Sequence, residues 1–373
     1  MPLPAGATIA HLIETDGPGG AERVVVHLVS RLAARGFHNV VLLPERGEGW
    51  LAAQLPRERV EIIPTPLMGV SLWHSFRRIH EIIRQHRPVV AHSHEFTMAA
   101  LGAAACWRRG VPHVFTLHGG RYYASRWHRR LATSLAARAA AAVIAVSETV
   151  AKQLREDLTP PPPRLRLIPN GIPEIPVVAP TLRSELGLPP DARLVVTVGN
   201  LYGVKGHADL LSAIAAIRQA VPAIHVAIAG RGPEEDALRR HAASLGLTDR
   251  LHLLGLRSDI PNILRSGDVF VLSSHSEGLP LALLEAMRAA RPIVATNVGE
   301  VPIVLNQGEA GLIVRPRDVN GLGAAMQRLL TNGAEAAKLG ARAGAIAAER
   351  YDIDRMIDRY VNLYGEAIDL AAK

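Results

Sequence analysis

The residues best placed for chemistry lie in S-E-G-L-P-L-A-L-L-E-A, residues 276–286, where Glu277 and Glu285 are separated by seven positions. The segment follows D-V-F-V-L-S-S, a β-branched run that reads as a strand. Gly278, Leu279 and Pro280 then open a helix, and free N–H groups at 278–281 are expected to hold a phosphate. Glu277 stands in the turn, beside whatever lies beyond that phosphate. Glu285, deeper in the helix, is suited to accept hydrogen bonds from vicinal hydroxyls such as those of a ribose. A lone carboxylate in the otherwise apolar L-P-L-A-L-L-E-A-M needs a partner. Two carboxylates flanking a phosphate cradle suit a nucleotide diphospho-sugar.

Two more glycine-bearing turns occupy similar places. V-G-N-L-Y-G-V-K-G-H, residues 198–207, ends a strand at Gly199 and carries Lys205 just before a helix, a mobile cation beside the positive end of a helix dipole. That pairing suits a diphosphate, although position alone favours a solvated lysine. D-G-P-G-G-A-E, residues 16–22, precedes another helix. It is neither G-x-G-x-x-G nor a P-loop, and a plain tight turn is an equal reading.

Such turns need strands beneath them. Short apolar runs at 8–13, 39–43, 60–63, 89–92, 113–117, 142–146 and 165–168 alternate with helical stretches, and the rhythm resumes at 194–198, 224–229, 251–254, 268–272, 292–295 and 311–314. Runs this short and this apolar predict parallel strands covered on both faces. The fold class is therefore α/β, with two doubly wound Rossmann-like parallel-sheet domains. Five prolines within 171–191 mark the linker. The expected organisation is a domain over 1–172, a linker over 173–191, a second domain over 192–350, and a last helix over 351–373 that packs back on the first domain.

Composition narrows the classes. The chain has 373 residues, 48% of them hydrophobic, which excludes disorder. One cysteine, Cys106, excludes a disulfide framework and reads as core. The start has no basic region of a secretory signal, and the longest apolar run falls short of the ~20 residues of a membrane span. A cytoplasmic protein is expected. Residues 1–170 carry 21 basic and 12 acidic side chains, a net of +9, against 21 and 22 in the remainder. Within 101–150, Arg108, Arg109, Arg121, Arg126, Arg129, Arg130 and Arg138 face Glu148 alone. An anionic partner or a merely solvated basic surface are equal readings. Low aromatic content and the lack of a recognisable module count against nucleic acid.

The E-x7-E pair, together with G-N-L-Y-G-V-K-G, A-G-R-G-P-E-E, I-P-N-G-I and T-L-H-G-G, resembles the retaining family 4 glycosyltransferases of GT-B fold. The resemblance runs from G-P-G-G-A-E to G-L-I-V-R-P-R-D. It implies two domains facing across a cleft, and a hexosyltransferase-type enzyme that moves a sugar from a UDP-, GDP- or ADP-sugar to a glycan or lipid-linked acceptor. The products would serve cell-envelope, lipopolysaccharide or exopolysaccharide synthesis. It further implies that Glu277 meets the donor sugar, Glu285 the ribose, and Lys205 the departing diphosphate. His118 would reach the donor sugar from the first domain. Gly19 and Gly20 would offer N–H groups to the pyrophosphate or the acceptor, and Gly230 and Gly232 would line the nucleotide pocket. Two departures stand out. Asn200 replaces a frequent arginine, leaving Lys205 and Arg231 as the charges for the diphosphate, and Ile303 stands where the pattern usually has an acid.

No cofactor and no metal are expected. The single D-x-D, at Asp352 and Asp354, reads as a helix cap. His92 and His94 have metal-ligand spacing but no third ligand nearby beyond Glu95. The segment from Arg121 to Arg138 mixes Tyr122, Tyr123, Trp127 and Leu131 with arginines. It is read either as a peripheral contact with an anionic membrane, on its inner face, or as an ordinary amphipathic helix lining the acceptor cleft. Two other functions share the layout: a sugar-nucleotide epimerase and a non-catalytic nucleotide-sugar-binding subunit. Transfer to an acceptor separates both from the leading reading.

Overall fold

The computed structural model describes residues 3–47, 49–67, 71–119 and 122–372. The chain divides into two compact units, 1–171 with 353–373, and 172–352. The first unit holds seven strands: β1 (Thr8–Leu12), β2 (His38–Pro44), β3 (Val60–Thr65), β4 (Val90–His94), β5 (His113–Leu117), β6 (Ala142–Ala145) and β7 (Leu165–Leu167). They pair in the order β3-β2-β1-β4-β5-β6-β7. Every pair is parallel, with β1 flanked by β2 and β4 in unbroken register.

The second unit repeats the plan with β8 (Arg193–Val198), β9 (Ile224–Ala229), β10 (Leu251–Gly255), β11 (Val269–Leu272), β12 (Ile293–Thr296) and β13 (Leu312–Val314). Their order is β10-β9-β8-β11-β12-β13, again all parallel. The inner strands are buried along nearly their whole length, as the two-sided helical cover requires. Both sheets are doubly wound α/β. Cys106 lies in the core of the first.

The segment expected as a linker is part of the second unit. Leu182 is fully buried. The N–H groups of Thr181 and Leu182 donate to Asn262 Oδ1 at 2.8 and 3.3 Å. Arg183 donates to the carbonyls of Ser266 and Ala192, both at 2.9 Å. Prolines here shape an ordered strap rather than a free connection, so the change of unit falls at Gly171 and Ile172. The Ile172 N–H donates to the Tyr351 carbonyl at 2.9 Å, so the outgoing and returning chain run side by side at this point.

The final helix, Ile353–Ala371, belongs to the first unit and buries Tyr360 and Tyr364 completely. The Tyr364 hydroxyl shares a 2.7 Å hydrogen bond with His92 Nδ1, and Thr116 Oγ1 bonds both His92 Nε2, at 2.8 Å, and the Tyr360 hydroxyl, at 3.2 Å. His11, His92, His94 and His113 are all enclosed within this sheet. Burial disfavours their charged form. It lowers His11 to about 4 and His113 to about 3, and holds His92 and His94 well below the ordinary value.

An acid sensitivity follows. In the unfolded chain these imidazoles take up protons near pH 6.5, whereas in the folded chain they resist until much lower pH. Stability is thus complete above pH 6.5 and falls as pH drops towards 4, by roughly 1.4 kcal/mol per histidine per pH unit. Melting curves stepped from pH 7.5 to 4.5 are expected to show the melting temperature falling below pH 6.5. A flat curve down to pH 5 would show that the histidines are not held neutral.

Candidate active site

In the second sheet, β8 and β11 are neighbours whose chains leave in opposite directions, β8 towards β9 and β11 towards β12. A crevice opens above the carboxyl ends of such a pair. The loop after β8 runs through Gly199 and Asn200 to a 3-10 turn, Gly203–Lys205, and then to the helix His207–Ile217. Gly206 joins turn to helix at φ 64°, and a Cβ there would lie 2.1 Å from the Ser273 carbonyl. Only glycine brings the two loops this close. Ser273 Oγ donates to the Lys205 carbonyl at 3.0 Å, and the His275 N–H donates to the Val204 carbonyl at 2.7 Å.

That clamp fixes Lys205 against the loop after β11. Lys205 Nζ donates to Glu277 Oε1 at 2.7 Å, and Ser274 Oγ donates to the same oxygen at 2.6 Å. Next to this pair, His275 Nε2 lies 2.7 Å from Asp209 Oδ2. Lys205 and Glu277, expected to work on adjoining parts of one ligand, are therefore in direct contact. Behind them Gly299, at φ 51°, has room for no side chain: a Cβ would stand 2.2 Å from the Glu277 carbonyl. The Glu300 N–H donates to the Gly278 carbonyl at 3.0 Å. The Gly299–Glu300 turn thus buttresses the Glu277 loop, while Ile303, two residues beyond the buried Val301, is substantially exposed.

Leu279 and Pro280 are buried, and the helix they introduce is Leu281–Arg288, with Pro280 at its N-cap. Proline has no N–H, so the expected run of donors across 278–281 is interrupted at 280, and the helical donors begin at Leu281. Glu285 follows one turn later, partly buried between the enclosed Leu284 and Ala286. Gly230 and Gly232 act through close packing. A Cβ on Gly230 would stand 2.0 Å from the Gly199 carbonyl, and one on Gly232 would stand 2.4 Å from that of Leu201. The Gly230 N–H is already committed to the Gly255 carbonyl at 2.8 Å. The Arg231 carbonyl accepts from the Leu201 N–H at 2.9 Å, with its side chain exposed. Asn200 contributes its carbonyl to buried His207, Nε2 at 3.3 Å, and burial lowers that histidine to about 4.

The first unit has its own switch point between β1 and β4. Beside it, Gly19 caps the helix Gly20–Ala34, and the Glu22 carboxylate folds back over it, 2.2 Å from where a Gly19 Cβ would stand. Asp16 accepts from the Gly49 and Leu51 N–H groups, each at 2.7 Å. At the end of β4, Glu95 has φ 68°, costly for any residue but glycine, and Oε1 accepts from the His118 N–H at 3.2 Å. Burial pushes the Glu95 carboxyl up to about 8. His118, at the end of β5, bonds His94 Nδ1 through its Nε2 at 3.1 Å, and burial lowers it to about 4. It is a neutral imidazole at physiological pH.

His11 on β1 joins His92 and His94, with one ring nitrogen from each within 4.8 Å of the others. Spacing along β4 did not reveal this third histidine, which comes from a neighbouring strand. His92 is nevertheless bonded at both nitrogens. Gly120 and Arg121 lie outside the described residues.

Residues 18–174 match the model described as Glycosyltransferase Family 4, and residues 178–345 match that of Glycosyl transferases group 1. The chain is a family 4 glycosyltransferase of GT-B type. Among its relatives is the lipopolysaccharide core biosynthesis glycosyltransferase LpsE of Rhizobium meliloti, 24% identical over 92% of this chain and 95% of that protein. Another is the Escherichia coli UDP-Gal:alpha-D-GlcNAc-diphosphoundecaprenol alpha-1,3-galactosyltransferase, 28% identical over 70% of this chain and 72% of that protein. Among solved structures, Anabaena Alr3699/HepE in complex with UDP-glucose shares the fold, with TM-score 0.85 and 22% identity over 98% of this chain and all of that one.

Of the residues singled out by motif in this glycosyltransferase, Lys205 and Glu277 are in contact, Glu285 stands in the adjoining helix, and His118 belongs to the first unit. Ser274 and the His275–Asp209 pair belong to no spacing pattern and become visible only when strands are placed side by side, and Glu95, noted in sequence only beside His92 and His94, proves to hold the His118 N–H. If the site takes a nucleoside diphosphate, Lys205→Met is expected to weaken it about tenfold, ~1.4 kcal/mol, while leaving the affinity for the matching monophosphate almost unchanged. Calorimetric titration with both nucleotides checks this, and equal losses for the two would remove Lys205 from the diphosphate.

Proposed function

We propose that this glycosyltransferase takes its sugar from a nucleotide diphospho-sugar and transfers it with retention of anomeric configuration. The observation that carries the reading is the Lys205–Glu277 pair above the ends of β8 and β11, with Glu285 one turn into the next helix. Lys205 leaves its carboxylate partner for the diphosphate, and Glu277, still held by Ser274, turns its lone pairs to the sugar hydroxyls. Glu285 takes the ribose hydroxyls. Positive charge grows on the sugar ring as negative charge grows on the leaving diphosphate, and fixed donors lower that barrier.

Transfer proceeds by attack on the same face that the diphosphate leaves. The acceptor oxygen bonds the anomeric carbon, the bond from that carbon to the phosphate oxygen breaks, and the departing oxygen takes the acceptor's proton. Glu277, held by Ser274 and turned to the sugar hydroxyls, has no place as a covalent nucleophile in this scheme. No metal is needed, because Lys205 and the first N–H groups of the Leu281–Arg288 helix neutralise the diphosphate. The D-x-D carboxylates are otherwise occupied, Asp352 facing Arg288 at 3.7 Å and Asp354 facing Arg31 and Arg35. The neutral His118 supplies a hydrogen bond to the donor sugar rather than a charge.

The likeness to LpsE and to HepE with UDP-glucose supports a hexose donor and an acceptor belonging to lipopolysaccharide or another envelope glycan. We place the reaction in the cytoplasm, at the inner face of the membrane when the acceptor is lipid-linked. Calorimetric titration with UDP, GDP and ADP tests the donor site. One nucleotide is expected to bind clearly, and Glu285→Ala to weaken it tenfold or more, a loss of ~1.4 kcal/mol. Absence of binding by all three would overturn the donor site. An unchanged affinity in Glu285→Ala would overturn the ribose assignment. With a working donor, the anomeric proton coupling in the product reads retention directly.

A further inference from the structure

A surface helix ordinarily turns its large apolar residues inward and its polar ones outward. The helix Trp127–Ala139 of the first unit is built the other way. Its buried residues are Thr133, Ser134, Ala136 and Ala137. Trp127, Leu131 and Leu135 are exposed by 76%, 51% and 60% of their surface. These three stand four positions apart and so form one stripe along the helix, about 12 Å long at 1.5 Å per residue. The helix Phe96–Trp107 packs beside it and ends in Trp107, 79% exposed.

The exposed charges carried by these two helices and the residues flanking them have one sign. Arg108, Arg109, Arg126, Arg130 and Arg138 are exposed, and between 101 and 147 there is no acidic residue. An outward apolar stripe of this kind marks a contact surface. Its basic frame excludes a second copy of this chain on the same face, since a two-fold contact would set arginine against arginine. A bilayer with anionic headgroups satisfies both features. Tryptophan and leucine enter the interface, and guanidinium groups meet phosphates above it.

We propose that the exposed face of the Trp127–Ala139 helix, with Trp107, docks this glycosyltransferase on an anionic membrane surface. The helix lies in the plane of the interface, with Trp127, Leu131 and Leu135 embedded and Arg126 and Arg138 at headgroup level. This assigns residues to the membrane contact of the proposed function but does not depend on the nucleotide site, which lies in the other unit.

Flotation of the full-length protein with vesicles tests the docking. Vesicles of phosphatidylglycerol and phosphatidylcholine are expected to carry the protein, and vesicles of phosphatidylcholine alone are not. Tryptophan emission should shift to the blue on binding. Because Leu131 and Leu135 are exposed, the L131S/L135S double variant is expected to keep its far-ultraviolet dichroism and its UDP affinity while losing tenfold or more of its vesicle partitioning. Arg126→Glu with Arg138→Glu should lose binding to the same vesicles in a salt-dependent way. No partitioning at low salt, or equal partitioning of the leucine variant, would overturn the proposal. So would a dimer, seen by light scattering, that the leucine variant abolishes. If UDP binding persisted through any of these results, the donor site would stand while the membrane surface fell.

Discussion

Two adjacent parallel strands whose chains depart to opposite sides leave an opening that no connection crosses. In this enzyme that constraint operates at β8 and β11, and every group with catalytic promise in the second unit stands around the opening. What makes it a site is the closeness of two loops that have no reason in sequence to meet. Gly206 lies against the Ser273 carbonyl and Gly299 against that of Glu277, and each contact leaves no space for a Cβ. The loops are held apart by nothing larger than backbone, so Lys205, on one, reaches Glu277, on the other.

The resulting ion pair sets the resting state. Lys205 and Glu277 neutralise each other at 2.7 Å while Ser274 keeps the carboxylate oriented. A ligand that brings only a phosphate, or only hydroxyls, must break this pair and leave one charge unpartnered, which is costly in a partly enclosed site. A ligand that brings both exchanges one set of partners for another. The arrangement therefore favours a molecule with anionic and hydroxyl-bearing ends side by side, and the preference arises from the pair and not from either residue alone.

Much of this was legible in the sequence where burial dictates residue type. The strands lie between helical layers, so Leu194 to Val198 or Val269 to Leu272 must be apolar at nearly every position, and both sheets could be read from that pattern. Lys205 and Glu277 were legible because each lies in the loop that joins a strand to the next helix. Contacts made across strands were not. His11 meets His92 and His94 from a separate strand, and Gly299 supports Glu277 from a later loop. The prolines of 173–191 signalled a break in regular structure, which is also what an ordered strap looks like in sequence, and only the contacts of Thr181 and Leu182 with Asn262 separate the two. At Pro280 the reason is simpler: position at a helix start does not supply a donor where the residue has none.

The two units divide their chemistry by charge. The second offers a lysine and helix donors, groups that recognise an anion. The first offers imidazoles that burial keeps neutral and, in Glu95, a carboxyl that burial pushes up to about 8. Groups held uncharged give and accept hydrogen bonds without the desolvation cost of an ion, and they exert little pull on a diphosphate. Glu95 is kept in a backbone conformation that only its neighbours can enforce, with its side chain bound to the main chain of His118. Strain of that kind persists where the side chain must stand at one place.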